Sequence, residues 1–166
     1  YGTIAVWAAL GRDVGPRYKE WTRTFWSATA LLLFVGMSGA ITALGDTLFP
    51  VDTSVGLMER LQTDLSPTEH FLVRLRYIHP IVSIALGGLL LWFCMGPWRS
   101  VPQAQGAVNF LAGTVLLQLG LGWLNVQLGA PGWMQIIHLL MADVLWIAFV
   151  WVGCSMRPVS PSQAIS

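Results

Sequence analysis

The sequence predicts an all-α integral membrane protein, a bundle of four transmembrane helices. Three observations predict it. Hydrophobic residues make up 55% of the 166 residues and charged residues only 10%, where a soluble domain carries about 25% charged. Mean hydropathy is +0.63, and four stretches approach or exceed the ~20 apolar residues that cross a bilayer. Those stretches are unbroken runs rather than polar–apolar alternations, which excludes a transmembrane barrel and leaves helices as the way to satisfy the backbone in lipid. The net charge of +1 offers no footprint for nucleic acid. Cys94 and Cys154 fall at the ends of apolar runs and read as small apolar fillers, not as a disulfide framework.

Residues 1–10 are apolar but too short to span a bilayer; they read as a processed N-terminus or as the tail of a preceding helix in a longer chain. Residues 11–24 carry Arg12, Arg17, Lys19 and Arg23 around a Gly15-Pro16 turn signal, and the positive-inside rule places them on the cytoplasmic side. Residues 25–44 are free of charge and form the first span, with Gly36, Gly39 and Ala40 spaced to let another helix approach.

The polar loop 46–66 sets Asp46, Asp52, Glu59 and Asp64 against one cation, Arg60. Acidic and poor in cations, it belongs outside. Leu57, Leu61 and Leu65 recur every four residues, the pattern of a short interfacial helix. Ser66-Pro67-Thr68-Glu69 has the form of a capping box and predicts the start of the second helix. That helix is expected to run to about residue 95, with Pro80 kinking it beside His79.

Gly96-Pro97-Trp98-Arg99 reads as an inner loop, 103–124 as the third helix with polar members Asn109 and Gln118, and 125–132 as an uncharged outer turn. The fourth helix is expected over 133–151, followed by Arg157 on the inner side. The chain thus divides into a leading segment 1–24, a four-helix membrane domain 25–157 and a polar, disordered tail 158–166. Both termini are expected to be cytoplasmic. Arg12, Arg17, Lys19, Arg23, Arg99 and Arg157 fall inside, while Asp46, Asp52, Glu59, Asp64 and Glu69 fall outside. Trp21, Trp26, Trp92, Trp98 and Trp151 form an inner belt, with Trp123 and Trp133 in an outer one.

Two of the three histidines, His79 and His138, lie inside spans. An ionisable ring in lipid needs a partner and marks a functional site by default. The second and fourth helices enter from the same side, so the two imidazoles sit at matched depth towards the outer leaflet. Helix-borne histidines are a common way to hold haem, and the pair reads as the two axial ligands of one haem iron.

Arg76, one turn outward from His79, is the first choice for a propionate partner and Arg74 the second. Ser83 and Gly87, one and two turns inward with Gly88 adjacent, leave room for a flat macrocycle. The alternative for the histidines is plain interhelical hydrogen bonding. Arginines at this level also snorkel, and small residues also serve ordinary helix packing. Asp143, the only carboxylate inside a span, reads as structural glue to Asn109 or Gln118, with proton transfer as the alternative. His70 reads as a surface residue.

Three stretches, Gly39-Ala-Ile-Thr-Ala-Leu-Gly-Asp-Thr-Leu-Phe-Pro50, Arg74-Leu-Arg-Tyr-Ile-His-Pro80 and Gln135-Ile-Ile-His-Leu-Leu-Met-Ala-Asp-Val-Leu-Trp146, resemble the haem A synthase family in order and spacing over nearly the whole chain. The resemblance implies an enzyme of two similar four-helix halves that oxidises a methyl group of haem O to the formyl group of haem A. This chain resembles the C-terminal half, whose haem b is held by histidines matching His79 and His138. The implied ligands are haem b with its iron, and haem O and haem A as substrate and product.

The implied partners are the lipid bilayer and either the other half or further copies of the chain. The implied location is the cell's inner (plasma) membrane. The family's Glu-x-x-His motif does not occur here, since Glu69 is followed directly by His70, and the outer loop has no cysteine pair. Catalytic residues are therefore not assigned. The rival reading is a b-type cytochrome that carries electrons without oxidising a substrate.

Overall fold

The computed structural model describes residues 16–156, and among them every regular element is helical. The order is α1 (Pro16–Leu48), α2 (Leu57–Asp64), α3 (Phe71–Leu75), α4 (Ile78–Ser100), a 3-10 turn (Pro102–Ala104), α5 (Gln105–Gln127) and α6 (Gly132–Ser155). Four segments are long and apolar enough to cross a membrane: Thr22–Leu48, Phe71–Pro97, Pro102–Gln127 and Gly132–Ser155. The expected four-span all-α membrane fold is therefore the observed one. The expectations for residues 1–10 and for the tail 158–166 lie outside the described residues.

Successive spans pack in order: α1 on α3 and α4, α4 on α5, and α5 on α6. Gly87 of α4 lies against Leu119 of α5 although the two helices connect through residues 101–104, so these helices are antiparallel. Gln118 meets His138, and Phe110 meets Trp151, which makes α5 and α6 antiparallel as well. Helices α4 and α6 consequently run in the same direction.

The tight core lies at the end of the bundle away from the histidines. Phe25, Ala28, Leu90, Phe93, Leu111, Val115, Ala148, Phe149 and Val152 are all buried there. The Phe25 ring stacks on Phe149 with centroids 4.6 Å apart and planes 4° apart, and its other edge lies over Gly153. A Cβ at Gly153 would stand 2.6 Å from Phe25 Cε2. The ring cannot yield, because Phe149 is fully buried behind it. Gly153→Ala is expected to cost about 1–3 kcal/mol as overpacking, read as a lower thermal midpoint in detergent. Gly106→Ala, whose Cβ would meet nothing within 4 Å, should leave the midpoint unchanged.

The second span differs from its expected form at both ends. No capping box forms at Ser66: its hydroxyl bonds the Thr68 hydroxyl at 2.8 Å, and the Glu69 amide bonds the Ser66 carbonyl. The helix begins instead at Phe71, capped by His70, whose Nδ1 accepts the Leu72 amide at 3.2 Å. The His70 ring stacks on Phe49 with centroids 4.8 Å apart. The residue read as a plain surface histidine is a helix cap.

The helix then breaks at Arg76-Tyr77 and restarts at Ile78. Pro80 explains the break: it has no N–H for the carbonyl four residues earlier, that of Arg76, and its ring crowds that carbonyl. The distortion thus falls one turn before the proline. At the other end no loop forms over 96–99. The helix continues through Pro97 to Ser100, as prolines within spans allow when neighbouring helices support the backbone.

The segment between the first two spans contains the short helix α2, as the leucine spacing predicts. It covers the α5–α6 turn. That turn is a Schellman cap: the Gly129 amide bonds the Val126 carbonyl at 3.2 Å, and the Ala130 amide bonds the Asn125 carbonyl at 2.8 Å. Gly129 has φ of 74°, and Thr53 Cγ2 would stand 2.5 Å from a Cβ there. Only glycine meets both demands. Within the same segment the Ser54 amide and hydroxyl both donate to Asp52 Oδ1, at 2.8 and 2.6 Å, which holds that carboxyl below the usual carboxylate range.

Trp92 and Trp151 are exposed towards one end of the bundle, and Trp123 and Trp133 towards the other; Trp26, expected in the inner belt, is half-buried against the core. The side chains of Trp21 and Trp98 lie outside the described set. Cys94 is buried in the core, and both cysteines are free thiols.

Candidate functional site: the paired histidines

His79 is the second residue of α4 and His138 lies in the second turn of α6. Each is packed and hydrogen-bonded from the preceding span, His79 at Nδ1 and His138 at Nε2. From α1, Ser38 bonds the His79 ring and Gly39 lies flat against it; a Cβ at Gly39 would come within 2.9 Å of His79 Cε1. From α5, Gln118 bonds the His138 ring and Gly122 lies against it; a Cβ there would come within 3.1 Å of His138 Cε1.

The hydrogen bonds assign the tautomer of His79. Ser38 Oγ donates its one proton to the Val35 carbonyl at 2.8 Å. Its 3.0 Å contact with His79 Nδ1 is therefore an Nδ1–H donating to the hydroxyl oxygen. Nε2 is left with its lone pair free, the state of a metal-binding imidazole oriented by a bond to its other nitrogen. On His138, the Gln118 amide nitrogen donates to Nε2 at 3.2 Å, and Nδ1 is buried with no partner. Gln118 Oε1 and Ser83 Oγ are likewise buried and unpaired. Each such group costs roughly 1–3 kcal/mol unless something binds it.

The packed core stops short of this level. Its nearest members on α4 and α6 are Leu86 and Leu145, each seven residues past a histidine, about 10 Å along the axis. Around the rings the interior is lined instead by glycines and unpaired polar atoms. No group of three or more His, Cys, Asp or Glu side chains able to hold a bare metal ion occurs among the described residues. A porphyrin needs no such group, because it brings four of the iron's six ligands itself. His79 with a free Nε2 lone pair, His138 with an Nε2 lone pair that only the Gln118 amide occupies, and a polar interior at this level fit a haem.

The other residues singled out in the sequence fall as follows. Ser83 lies one turn past His79 on α4, with its hydroxyl buried and unpaired. Gly87 is buried and admits Leu119 of α5, whose Cδ1 would lie 2.8 Å from a Cβ there, so its smallness is used for helix contact. Gly88 is exposed with nothing near it. Asp143 is exposed and makes none of the expected bonds to Asn109 or Gln118.

Arg74 is exposed. Arg76 is buried at 8% exposure and already engaged: Nε lies 3.1 Å from Asp46 Oδ1, Nη1 donates to Asp64 Oδ2 at 3.2 Å, and Nη2 donates to the Phe49 carbonyl at 2.7 Å. The Tyr77 hydroxyl donates to the same Asp64 oxygen at 2.8 Å. Sequence reasoning missed Ser38, Gly39, Gly122, Asp46 and Asp64 as members of this region. Only the histidine-to-glycine pairing across helices would have hinted at them.

Residues 3–150 match the model of the family described as cytochrome oxidase assembly protein, COX15-CtaA. The chain belongs to this family. As a COX15-CtaA protein it has a membrane function connected with haem A biosynthesis, in line with the haem A synthase resemblance of its motifs. It is similar to the protoheme IX farnesyltransferases of two strains of Thermus thermophilus, each 44% identical over 126 residues. The match covers 75% of this chain but 20% of the relatives, so the chain corresponds to about one fifth of their length. No solved structure matches the chain.

Proposed function

We propose that this COX15-CtaA chain is the haem-b-holding half of a haem A synthase, with His79 and His138 as the axial ligands. The observation that carries the proposal is the matched treatment of the two rings. Each is seated on a glycine and hydrogen-bonded from the adjacent helix, at a level the apolar core leaves open. A plain interhelical contact would not need a histidine left with an unpaired, buried nitrogen. When bound, the haem supplies a one-electron redox couple close to the substrate-oxidising part of the enzyme. The chain's own residues do the rest: Ser38 fixes the His79 ring through Nδ1, Gln118 holds the His138 Nε2 lone pair that the iron would take, and Gly39 and Gly122 set how close the helices approach.

Arg74, exposed and with no side-chain partner among the described residues, is a free cation for a propionate. Arg76 reaches one only by loosening its hold on Asp46 or Asp64. Ser83 offers an unpaired hydroxyl towards the bound group. In the full protein the partner is the other four-helix half or another copy of the chain, in the plasma membrane, with the haem towards the outer leaflet. The similarity to proteins named for transferring farnesyl to protohaem supports a farnesylated haem, haem O, as the substrate of the whole enzyme and haem A as its product.

Extraction of the haem after supply of haem O tests this reading. Retained haem b with no formyl haem made by the chain alone is the expected result. Haem O or haem A held by this chain would place the substrate here and contradict the cofactor role. Ser38→Ala tests the ring assignment: losing the bond that orients a metal-binding histidine lowers affinity by about 10–100-fold. Transfer of haem to a scavenging apoglobin should be faster by that factor, and an unchanged rate would sink the tautomer argument.

A further inference from the structure

Three chain segments meet at the break between α3 and α4. The end of α1 brings Asp46 and the Phe49 carbonyl, the end of α2 brings Asp64, and the break itself presents Arg76 and Tyr77. Asp64 is the joint of this cluster. A single oxygen, Oδ2, accepts from both Arg76 Nη1 at 3.2 Å and the Tyr77 hydroxyl at 2.8 Å. These are the two residues at which the helix is interrupted, and His79 follows two positions after Tyr77.

A helix interrupted by Pro80 has lost the backbone bond that would fix the angle between its two parts. The side-chain bonds to Asp64 replace that constraint. They are also short-range and largely out of water, with Arg76 at 8% exposure and the Asp64 side chain at 16%, so they hold direction better than surface pairs would.

We infer that Asp64, acting through Arg76 and Tyr77, is a positioning residue that sets the direction in which the broken helix presents the His79 ring. Ser38 fixes the ring's rotation from one side, and Asp64 fixes the backbone that carries it from the other. The short helix α2 is thereby coupled to the candidate ligand, although it contributes no group to the level of the histidines. The inference uses the bis-histidine reading for its spectroscopic test but stands on a backbone geometry that exists without it.

Two variants disturb the joint gently: Asp64→Asn keeps the shape and one acceptor oxygen, and Tyr77→Phe removes only the hydroxyl. Glu59→Gln, on the same short helix and exposed, is the control. Amide hydrogen exchange of residues 77–84, measured on the full chain in detergent, should quicken about fivefold or more in both variants and stay unchanged in the control.

In the oxidised haem-loaded protein the same two variants should keep their haem while shifting the electron paramagnetic resonance g values, which report the mutual orientation of two axial imidazoles. A general loss of stability would not move the g values of the folded fraction. Wild-type exchange in both variants would overturn the inference. Quickened exchange with unmoved g values would show that the joint holds the backbone but not the ligand, and would overturn it equally. A wild-type protein without haem would defeat the proposed function alone, with the exchange result still deciding whether Asp64 positions the helix.

Discussion

His79→Ala is expected to abolish the low-spin haem spectrum of the purified protein, and His138→Ala to do the same. In the proposed site each ring would hold the iron, and the described residues contain no cluster of three or more His, Cys, Asp or Glu side chains that could hold a metal instead. Ser83 is at the right level, but a neutral hydroxyl is a poor iron ligand beside an imidazole. Both variants should still fold. The core that holds the bundle together lies about two turns away, and its Phe25–Phe149 stack does not depend on either ring. His70→Ala should keep the full spectrum, because its ring caps α3 and stacks on Phe49. Retention of a normal low-spin spectrum in either the His79 or the His138 variant would remove that residue from the ligand pair.

Arg76→Ala should be the most destabilising single change. It leaves Asp46 and Asp64 facing one another without their shared cation, with Asp46 at 9% side-chain exposure. Removing one partner of a buried ion pair costs about 3–5 kcal/mol, mostly through the uncompensated charge that remains. Asp46→Asn added to Arg76→Ala should recover part of the loss by removing one of the stranded charges. Arg74→Ala, at an exposed position, should change stability by less than about 0.5 kcal/mol. Chemical unfolding in mixed micelles measures all three. Equal effects of the Arg74 and Arg76 substitutions would mean that the buried cluster does not hold this end of the bundle.

The parts of the fold governed by hydropathy were legible in the sequence. The four spans, the short helix at 57–64 and the turn at Gly129 follow from run length, leucine spacing and turn residues. What misled was local punctuation inside the membrane. Pro97 resembles a loop residue, yet in a span the neighbouring helices keep the chain helical around it. Ser66-Pro67-Thr68-Glu69 has the letters of a capping box, but His70 supplies the cap, a role for which residue-type statistics give little warning.

The two histidines could be picked out because ionisable groups are scarce in spans. Their supports could not. Ser38, Gln118, Gly39 and Gly122 are ordinary span residues in the sequence, and only the packing of α1 on α4 and of α5 on α6 brings them to the rings. Arg76 was legible as important but not as buried, since the aspartates that bury it come from two other segments.

A reduced-minus-oxidised absorbance spectrum of the purified chain, quantified by pyridine haemochrome, decides whether the paired histidines are a haem site. Between His79 and His138 the bundle is expected to hold one low-spin b-type haem per chain. Protein that is folded, homogeneous and free of haem after supply of haem during expression would contradict it, and would leave the two histidines as hydrogen-bonding links between helices.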